Sequence, residues 1–271
     1  MKINRRAVDR LLAGHVWVYR SDTEVDPNAQ PGEIVSVEDP KGRFLGTALF
    51  SSTSQIALRL ISRDRLDFDR NLIHQRLSRA LEFRQRIVQD SEAYRLVYSE
   101  ADELPGLIVD RYGEHLVVQF LTQGMDHYEE EILSLLQELL QPKGIVLRND
   151  AVVRSKENLV REVRIIGDVP EQIQLKMNGL NWVADLAHGQ KTGLYLDQRQ
   201  NYVAAAQYAS GRALDCFSSS GGLHLLSFSA AVAAYTALSD APFACIMQAN
   251  RKINSLRFPA LTISGIEKRM L

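Results

Sequence analysis

The sequence predicts an α/β protein with an all-β N-terminal domain, a central α+β domain and the opening of a doubly wound α/β domain. Three observations carry this. The runs "GEIVSVED" (32–39), "FLGTALFS" (44–51) and "IALRLISR" (56–63) are closely spaced, β-rich and short, as in a small barrel. Residues 104–150 then read strand, strand, helix, strand. Finally, "RALDCF" (212–217) is a short apolar strand that follows a helix and runs into a Ser/Gly loop, the order of a doubly wound unit.

Each element has a local reason. "DPKG" (39–42) between the first two strands is a hairpin signal. "DFDRNLIHQRLSRALEFRQRIV" (67–88) is helical: Leu72, Ile73, Leu77, Leu81 and Ile87 form an apolar stripe, with Arg70, Arg76, Arg79, Arg84 and Arg86 largely off it. It is expected as a connector (67–92) between a domain at 1–66 and one at 93–169. "LPGLIVDRYGEHLVVQFLT" (104–122) is two strands around "YGEH", and "MDHYEEEILSLLQELLQ" (125–141) is an amphipathic helix with acidic residues in its first turns. Pro142-Lys143-Gly144 ends it, and "GIVLRND" (144–150) returns as a strand. "IQLKMNGLNWVADL" (173–186) is a hairpin turning at Asn178-Gly179. A helix is expected from about Asp197, which would cap it.

Composition narrows the function classes. No stretch approaches the ~18–20 apolar residues of a membrane-spanning helix, and "MKINRRAVDR" lacks the apolar region of a secretory signal. Cys216 and Cys245 lack metal-site spacing and sit among small and apolar residues. They suggest a reducing, cytoplasmic location, no disulfide framework and no metal site. Charge is uneven: residues 1–88 carry 15 Lys+Arg against 11 Asp+Glu, residues 89–200 carry 11 against 19, and residues 201–271 carry 6 against 3. In the first third, 13 of the cations are arginine. Arginine binds phosphate bidentately and stacks on bases, so a polyanion is a candidate partner there and a solvated basic face is the alternative.

Two constellations carry the site chemistry. In "ALDCFSSSGG" (213–222), glycines would let the backbone approach a ligand and the following helix would offer free N–H groups. The loop matches neither G-x-G-x-x-G nor the P-loop pattern, and it has no lysine to reach a β/γ-phosphate. A carboxylate, Asp215, at the strand end suits a ligand with an ammonium, sulfonium or ribose group. That favours S-adenosylmethionine over ATP or NAD. An ordinary turn with Asp215 as a helix cap fits the loop read alone. In "GQKTGLYLDQRQN" (189–201), Gln190, Lys191, Thr192, Asp197, Gln198 and Arg199 surround Leu194, Tyr195 and Leu196. This loop could close over the cofactor, with Tyr195 stacked on its adenine.

Together these two motifs resemble the class I S-adenosylmethionine-dependent ribosomal RNA methyltransferases of the RlmI-like family, which includes large-subunit cytosine-C5 methyltransferases. "HVWVYRSD" (15–22) and "GEIVSVEDPKGRFLGTALFS" resemble its PUA-type RNA-binding barrel, and "SEADELPGLIVDRYGEHLVVQF" (99–120) its central domain. The resemblance covers roughly residues 1–222. It implies a PUA-like barrel, a central α+β domain and a Rossmann-like methyltransferase domain, here 170–271 and partial. It places Lys191, Thr192, Gly193, Tyr195 and Gln198 on the loop over the cofactor, and Asp215, Phe217, Ser218, Gly221 and Gly222 on the S-adenosylmethionine loop. Arg20, Arg43 and Arg59, with arginines of the connector helix, become candidate RNA contacts through phosphates or stacked bases. Ribosomal RNA is the implied partner, and a homodimer is compatible with the resemblance.

Beyond Gly222 the resemblance weakens. "MQANRKINSLRF" (247–258) matches a family helix carrying Asn250 and Asn254, and counting back from it puts the ribose-binding acidic position near Thr236. The nearest carboxylate is Asp240, with Pro242 shortly after. The family's later D-P-P-type motif has no counterpart, since no Pro-Pro occurs in the chain. Cytosine-C5 methylation needs a thiolate that adds to C6 of an extruded base. Cys216 and Cys245 both read as small buried hydrophobes, so no catalytic residue is assigned. The expectation is a C-terminally truncated or frame-altered chain with impaired catalysis. The alternatives are an RNA-binding module without chemistry and another nucleotide-dependent enzyme on a Rossmann-like fold.

Overall fold

The computed structural model describes residues 1–189 and 191–208, together with two strands at 211–215 and 232–237. The N-terminal domain contains β1 (Lys2–Ile3), α1 (Arg5–Leu12), β2 (Trp17–Tyr19), β3 (Thr23–Glu24), β4 (Ile34–Glu38), β5 (Phe44–Phe50) and β6 (Ile56–Ser62). They form one six-stranded sheet in the order β2-β6-β5-β4-β1-β3. The three expected long strands are β4, β5 and β6. The β4–β5 turn is held by Asp39, whose carboxylate accepts from the Lys41 and Arg43 amides, both at 2.8 Å.

The domain is not purely β. α1 forms because Asn4 caps it, accepting the Ala7 amide at 3.0 Å, and because Ala7 and Leu11, four residues apart, share one buried face. In the sequence its four charged residues concealed that short apolar stripe. Its core consists of Ile3, Leu11, Val18, Val37, Phe50 and Leu58 with their neighbours.

Asp69 caps α2 (Arg70–Ile87) by accepting the Leu72 amide at 2.9 Å. This helix is no free connector, because Ile73, Leu77 and Ala80 enter the central core. Arg76, expected off the apolar stripe, is buried as well. Its guanidinium donates to the Glu103 and Ile61 carbonyls and lies 5.6 Å from the Phe68 ring. Ile87, expected on the stripe, is exposed at the helix end.

The central domain comprises β7 (Ala93–Tyr98), β8 (Leu107–Tyr112), β9 (His115–Phe120), α3 (Gln123–His127), α4 (Glu129–Leu140), β10 (Gly144–Asn149), α5 (Val153–Lys156) and β11 (Glu162–Gly167). The sheet order is β11-β10-β9-β8-β7, with β9 and β10 parallel and the other pairs antiparallel. The single helix expected over 125–141 is two, meeting at Tyr128 after Thr122 caps α3. The edge strands β7 and β11 were not foreseen.

β12 (Ile173–Met177) and β13 (Leu180–Ala184) form the expected hairpin. Asn178 and Gly179 both take positive φ, 53° and 74°, the requirement of a two-residue type I′ turn. Residues alternate across the central sheet. Leu116, Val118, Ile145 and Leu147 face α2 and α4, whereas Val117 and Val146 face the hairpin with Leu175, Trp182, Leu186 and Leu194. Strands β8, β9 and β10 are therefore covered on both sides, whereas β11 is exposed.

α6 (Arg199–Ala206) follows, and its Tyr202 stacks on Trp182 at 6.2 Å. β14 (Gly211–Asp215) and β15 (Val232–Ala237) are parallel, with Leu214 opposite Thr236 and Asp215 opposite Ala237. A parallel pair needs a crossover connection, the topology expected of a doubly wound unit. β14 covers the first four residues of the strand expected over 212–217, whose last two residues lie outside the described residues.

Candidate functional site: a docked loop and a strand end

The segment 185–198 is fastened to the central sheet by β8 and β10. Asp110 on β8 is fully buried and pairs with Arg95 of β7 at 2.9 and 3.0 Å. The Thr192 hydroxyl donates to the same carboxylate at 2.6 Å. Two residues along β8, the Tyr112 hydroxyl accepts the Leu194 amide at 3.1 Å and lies 3.4 Å from Thr192 Oγ1. Arg148 of β10 donates from Nη1 to the Leu186 and Gly189 carbonyls, at 3.2 and 3.0 Å, and pairs with Asp150.

Burial first, then the Asp110 charge, pushes the Tyr112 hydroxyl well above its ordinary range. It stays neutral, able to accept from Leu194 and to donate. Burial opposes the Arg95 charge, but the hydrogen bonds and charge of Asp110 outweigh it and raise its affinity for the proton. The loop thus rests on the fully buried Asp110 carboxylate with its Arg95 partner, on one neutral phenol and on Arg148.

The backbone demands glycine at two points. A Cβ at Gly189 would meet the Asp185 carbonyl oxygen at 2.3 Å, and Gly193 has φ +125°. Between them Lys191 adopts φ 55°, an unusual state for a side-chain-bearing residue and one that clusters at functional sites.

The five loop residues expected at the cofactor divide in two. Thr192 is buried and committed to Asp110, and half-buried Gly193 packs under Tyr112. Lys191 is exposed, while Tyr195 and Gln198 are half-buried. The Lys191 ammonium lies 4.3 Å from the Tyr195 ring centroid and 3.2 Å from Asp197. Asp197 was expected to cap the following helix. It pairs with Lys191 instead, and neither the turn at 196–198 nor α6 has a side-chain cap. Gln190 lies outside the described residues.

Asp215 closes β14 beside the end of β15. Thr236, near which the acidic position is expected, lies on β15 opposite Leu214. Phe217, Ser218, Gly221, Gly222 and Asp240 lie outside the described residues, as do Cys216, Cys245, Asn250 and Asn254.

The arginines expected at RNA have different surroundings. Arg43 is exposed and pairs with Asp39 at 2.6 Å. Half-buried Arg20 donates to the Ser51 and Ser54 carbonyls. Arg59 is buried and pairs with the fully buried Glu157 at 2.9 Å. Glu157 also accepts the Ser51 hydroxyl at 2.7 Å, and the Gln123 side chain donates to its backbone carbonyl at 2.6 Å. This network joins the first domain to the second, so Arg59 does not present its guanidinium to solvent. Trp17 and Tyr19, on edge strand β2, are exposed.

The residues that sequence reasoning missed are Asp110, Tyr112, Arg95 and Arg148. One signal was available: Asp110 is a lone carboxylate inside the apolar run "LIVDRY", and a buried charge needs a partner.

Residues 1–63 match the family model described as a PUA-like domain. The chain is similar to proteins named ribosomal RNA large subunit methyltransferase I. Identity is 37% over 220 residues to that of Tolumonas auensis, covering 78% of this chain and 55% of the relative. It is 34% over 219 residues to that of Escherichia coli, with the same two shares, 78% and 55%. It is 32% over 234 residues to that of Pseudoalteromonas atlantica, covering 84% and 59%. The chain thus spans little more than half the length of these curated relatives. Among solved structures, it superposes on one described as a methyltransferase in complex with SAH, with TM-score 0.75 and 21% identity, over 89% of this chain and 62% of that one. A methyltransferase fold from Streptococcus mutans gives TM-score 0.74 at 21% identity, over 89% and 63%. The fold is therefore that of a PUA-like domain followed by domains shared with such proteins.

Proposed function

We propose that this protein is an S-adenosylmethionine-dependent methyltransferase acting on large-subunit ribosomal RNA, with cytosine C5 as the modified atom. The observation that carries the reading is the docked loop. It holds Lys191, Tyr195 and Gln198 on a frame fixed by Asp110, Tyr112 and Arg148, and it leads through α6 into a strand that ends in Asp215. Relatives named as ribosomal RNA methyltransferases, similar over most of this chain, support it.

The residues present fit the cofactor. An aromatic ring for stacking and a carboxylate at the end of a parallel strand suit an adenosyl group with a sulfonium or ammonium. When bound, S-adenosylmethionine supplies the methyl group. Tyr195 would stack on the adenine, Gln198 and Lys191 would offer polar contacts, and Asp215 would accept from the amino-acid end or ribose. Phe217, Ser218, Gly221, Gly222 and Asp240 belong to the same proposed site. Thr192 and Gly193 hold the loop in place.

For RNA we propose Arg20 and Arg43 with the exposed rings of Trp17 and Tyr19. The Arg10 guanidinium lies 5.0 Å from the Tyr19 ring centroid, and a cation beside an exposed aromatic suits phosphates and unstacked bases. Arg59 serves to lock the barrel to the central sheet. A cytoplasmic location fits a ribosomal RNA substrate. We also infer that the protein works as a homodimer, because exposed apolar side chains cluster on one edge strand.

Methyl transfer from tritiated S-adenosylmethionine to deproteinised ribosomal RNA tests the main reading. Label on cytosine C5 supports it. Tight, salt-dependent RNA binding without label would instead support an RNA-binding module.

A further inference from the structure

β11 is the outermost strand of the central sheet, and among the described residues nothing pairs with its outer edge. All six of its residues are exposed. Val163, Ile165 and Ile166 are 42%, 55% and 42% exposed, and Val160, just before the strand, is 73% exposed. Val152 and Val153 of the preceding segment are exposed as well. Natural proteins blunt an open edge with proline, bulges, inward charges or a covering element. Here Pro170 follows the strand, the β10–β11 ladder is regular over all six residues, and the side chains are half apolar.

We propose that β11 pairs antiparallel with β11 of a second copy of this chain about a two-fold axis at Val163, joining two central sheets into one. The proposal rests on the homodimer reading above and assigns its surface.

The sequence fixes the register. A two-fold antiparallel pair places each residue opposite its mirror position about the axis. With the axis at Val163, Glu162 faces Arg164 of the other copy, twice. On the same face Val160 meets Ile166, also twice. On the opposite face Val163 meets itself, and Ile165 lies against the stem of Arg161. An axis at Arg164 would put two guanidiniums opposite each other, where like charges destabilise a pair. An axis at Ile165 would leave Glu162 opposite Asp168. Of these three axes, only the one at Val163 sets Glu162 opposite Arg164 and brings no like charges together, with the aliphatic stem of Arg161 lying against Ile165.

Sedimentation of the full chain, with Val163→Cys and Val160→Cys variants under mild oxidation, tests this. Directly opposed residues of an antiparallel pair lie within disulfide reach. The expected results are a dimer, a 163–163 disulfide identified by peptide mass spectrometry, and no 160–160 disulfide. Glu162→Arg, at an exposed position, should weaken dimerisation at least tenfold, and Ile166→Asp should do the same. A dimer with no 163–163 disulfide and no response to either substitution would overturn the β11 surface while leaving a homodimer standing. A monomer at every concentration would overturn both.

Discussion

Replacing Thr192 by valine keeps the side chain's shape and deletes one hydroxyl from a buried carboxylate. That hydroxyl lies 2.6 Å from Asp110, and both residues are buried. A hydrogen bond to a charged acceptor contributes roughly 1.5–3 kcal/mol. Asp110 keeps Arg95, so its charge stays compensated and the loss falls on the loop. Taking about 2 kcal/mol, the equilibrium between docked and released loop shifts about 30-fold. Amide exchange over 189–194 should quicken by that factor, while β8 and β9 keep their rates. Tyr112→Phe removes the neutral acceptor of the Leu194 amide and should have a smaller effect, about 5-fold for ~1 kcal/mol. The two side chains touch at 3.4 Å, so the double variant should depart from additivity. Wild-type exchange over 189–194 in a folded Thr192→Val protein would refute the pinned-loop reasoning.

Other consequences are equally specific. Arg59→Met strands the Glu157 carboxylate in the junction between the first two domains. Urea unfolding should show a loss of about 3–5 kcal/mol, largely recovered when Glu157→Gln is added. Gly106→Ala would bring a Cβ within 2.3 Å of Thr122 at a φ of +93°. It should cost roughly 2–4 kcal/mol, and a melting point unchanged from wild type would contradict the close approach. Burial raises the Asp22 pKa, but hydrogen bonds from Asn4 and Arg10 outweigh it and hold the carboxyl below its usual range. Its contribution is therefore complete above the unfolded value of about 3.9 and is lost as pH falls through the lower folded value. Asp22→Asn should flatten the acid limb of the stability curve there, and an unaltered limb would count against the Asn4–Asp22–Arg10 cluster.

Elements whose cause is local were legible in the sequence. The "DPKG" turn, the Asn178-Gly179 turn and the alternating strands β4, β5 and β6 all follow from propensities and spacing within a few residues. Elements whose cause is long-range were not. β7 and β11 exist because β8 and β10 offer them edges, and α1 hides a two-residue apolar stripe among charges. Arg76 reads as a surface cation until the Glu103 and Ile61 carbonyls close around it. The same division holds at the site. Sequence named the loop from Lys191 to Gln198, but the roles of Thr192 and Tyr195 differ because Asp110 and Tyr112, some 80 positions earlier, reach the former and not the latter.

Calorimetric titration of the full chain with S-adenosylhomocysteine, beside NAD and ATP, addresses the central claim most directly. One site per chain for S-adenosylhomocysteine, weakened by Tyr195→Ala, and no heat from NAD or ATP are the expected results. Absence of S-adenosylhomocysteine binding, or equal binding of NAD, would contradict it.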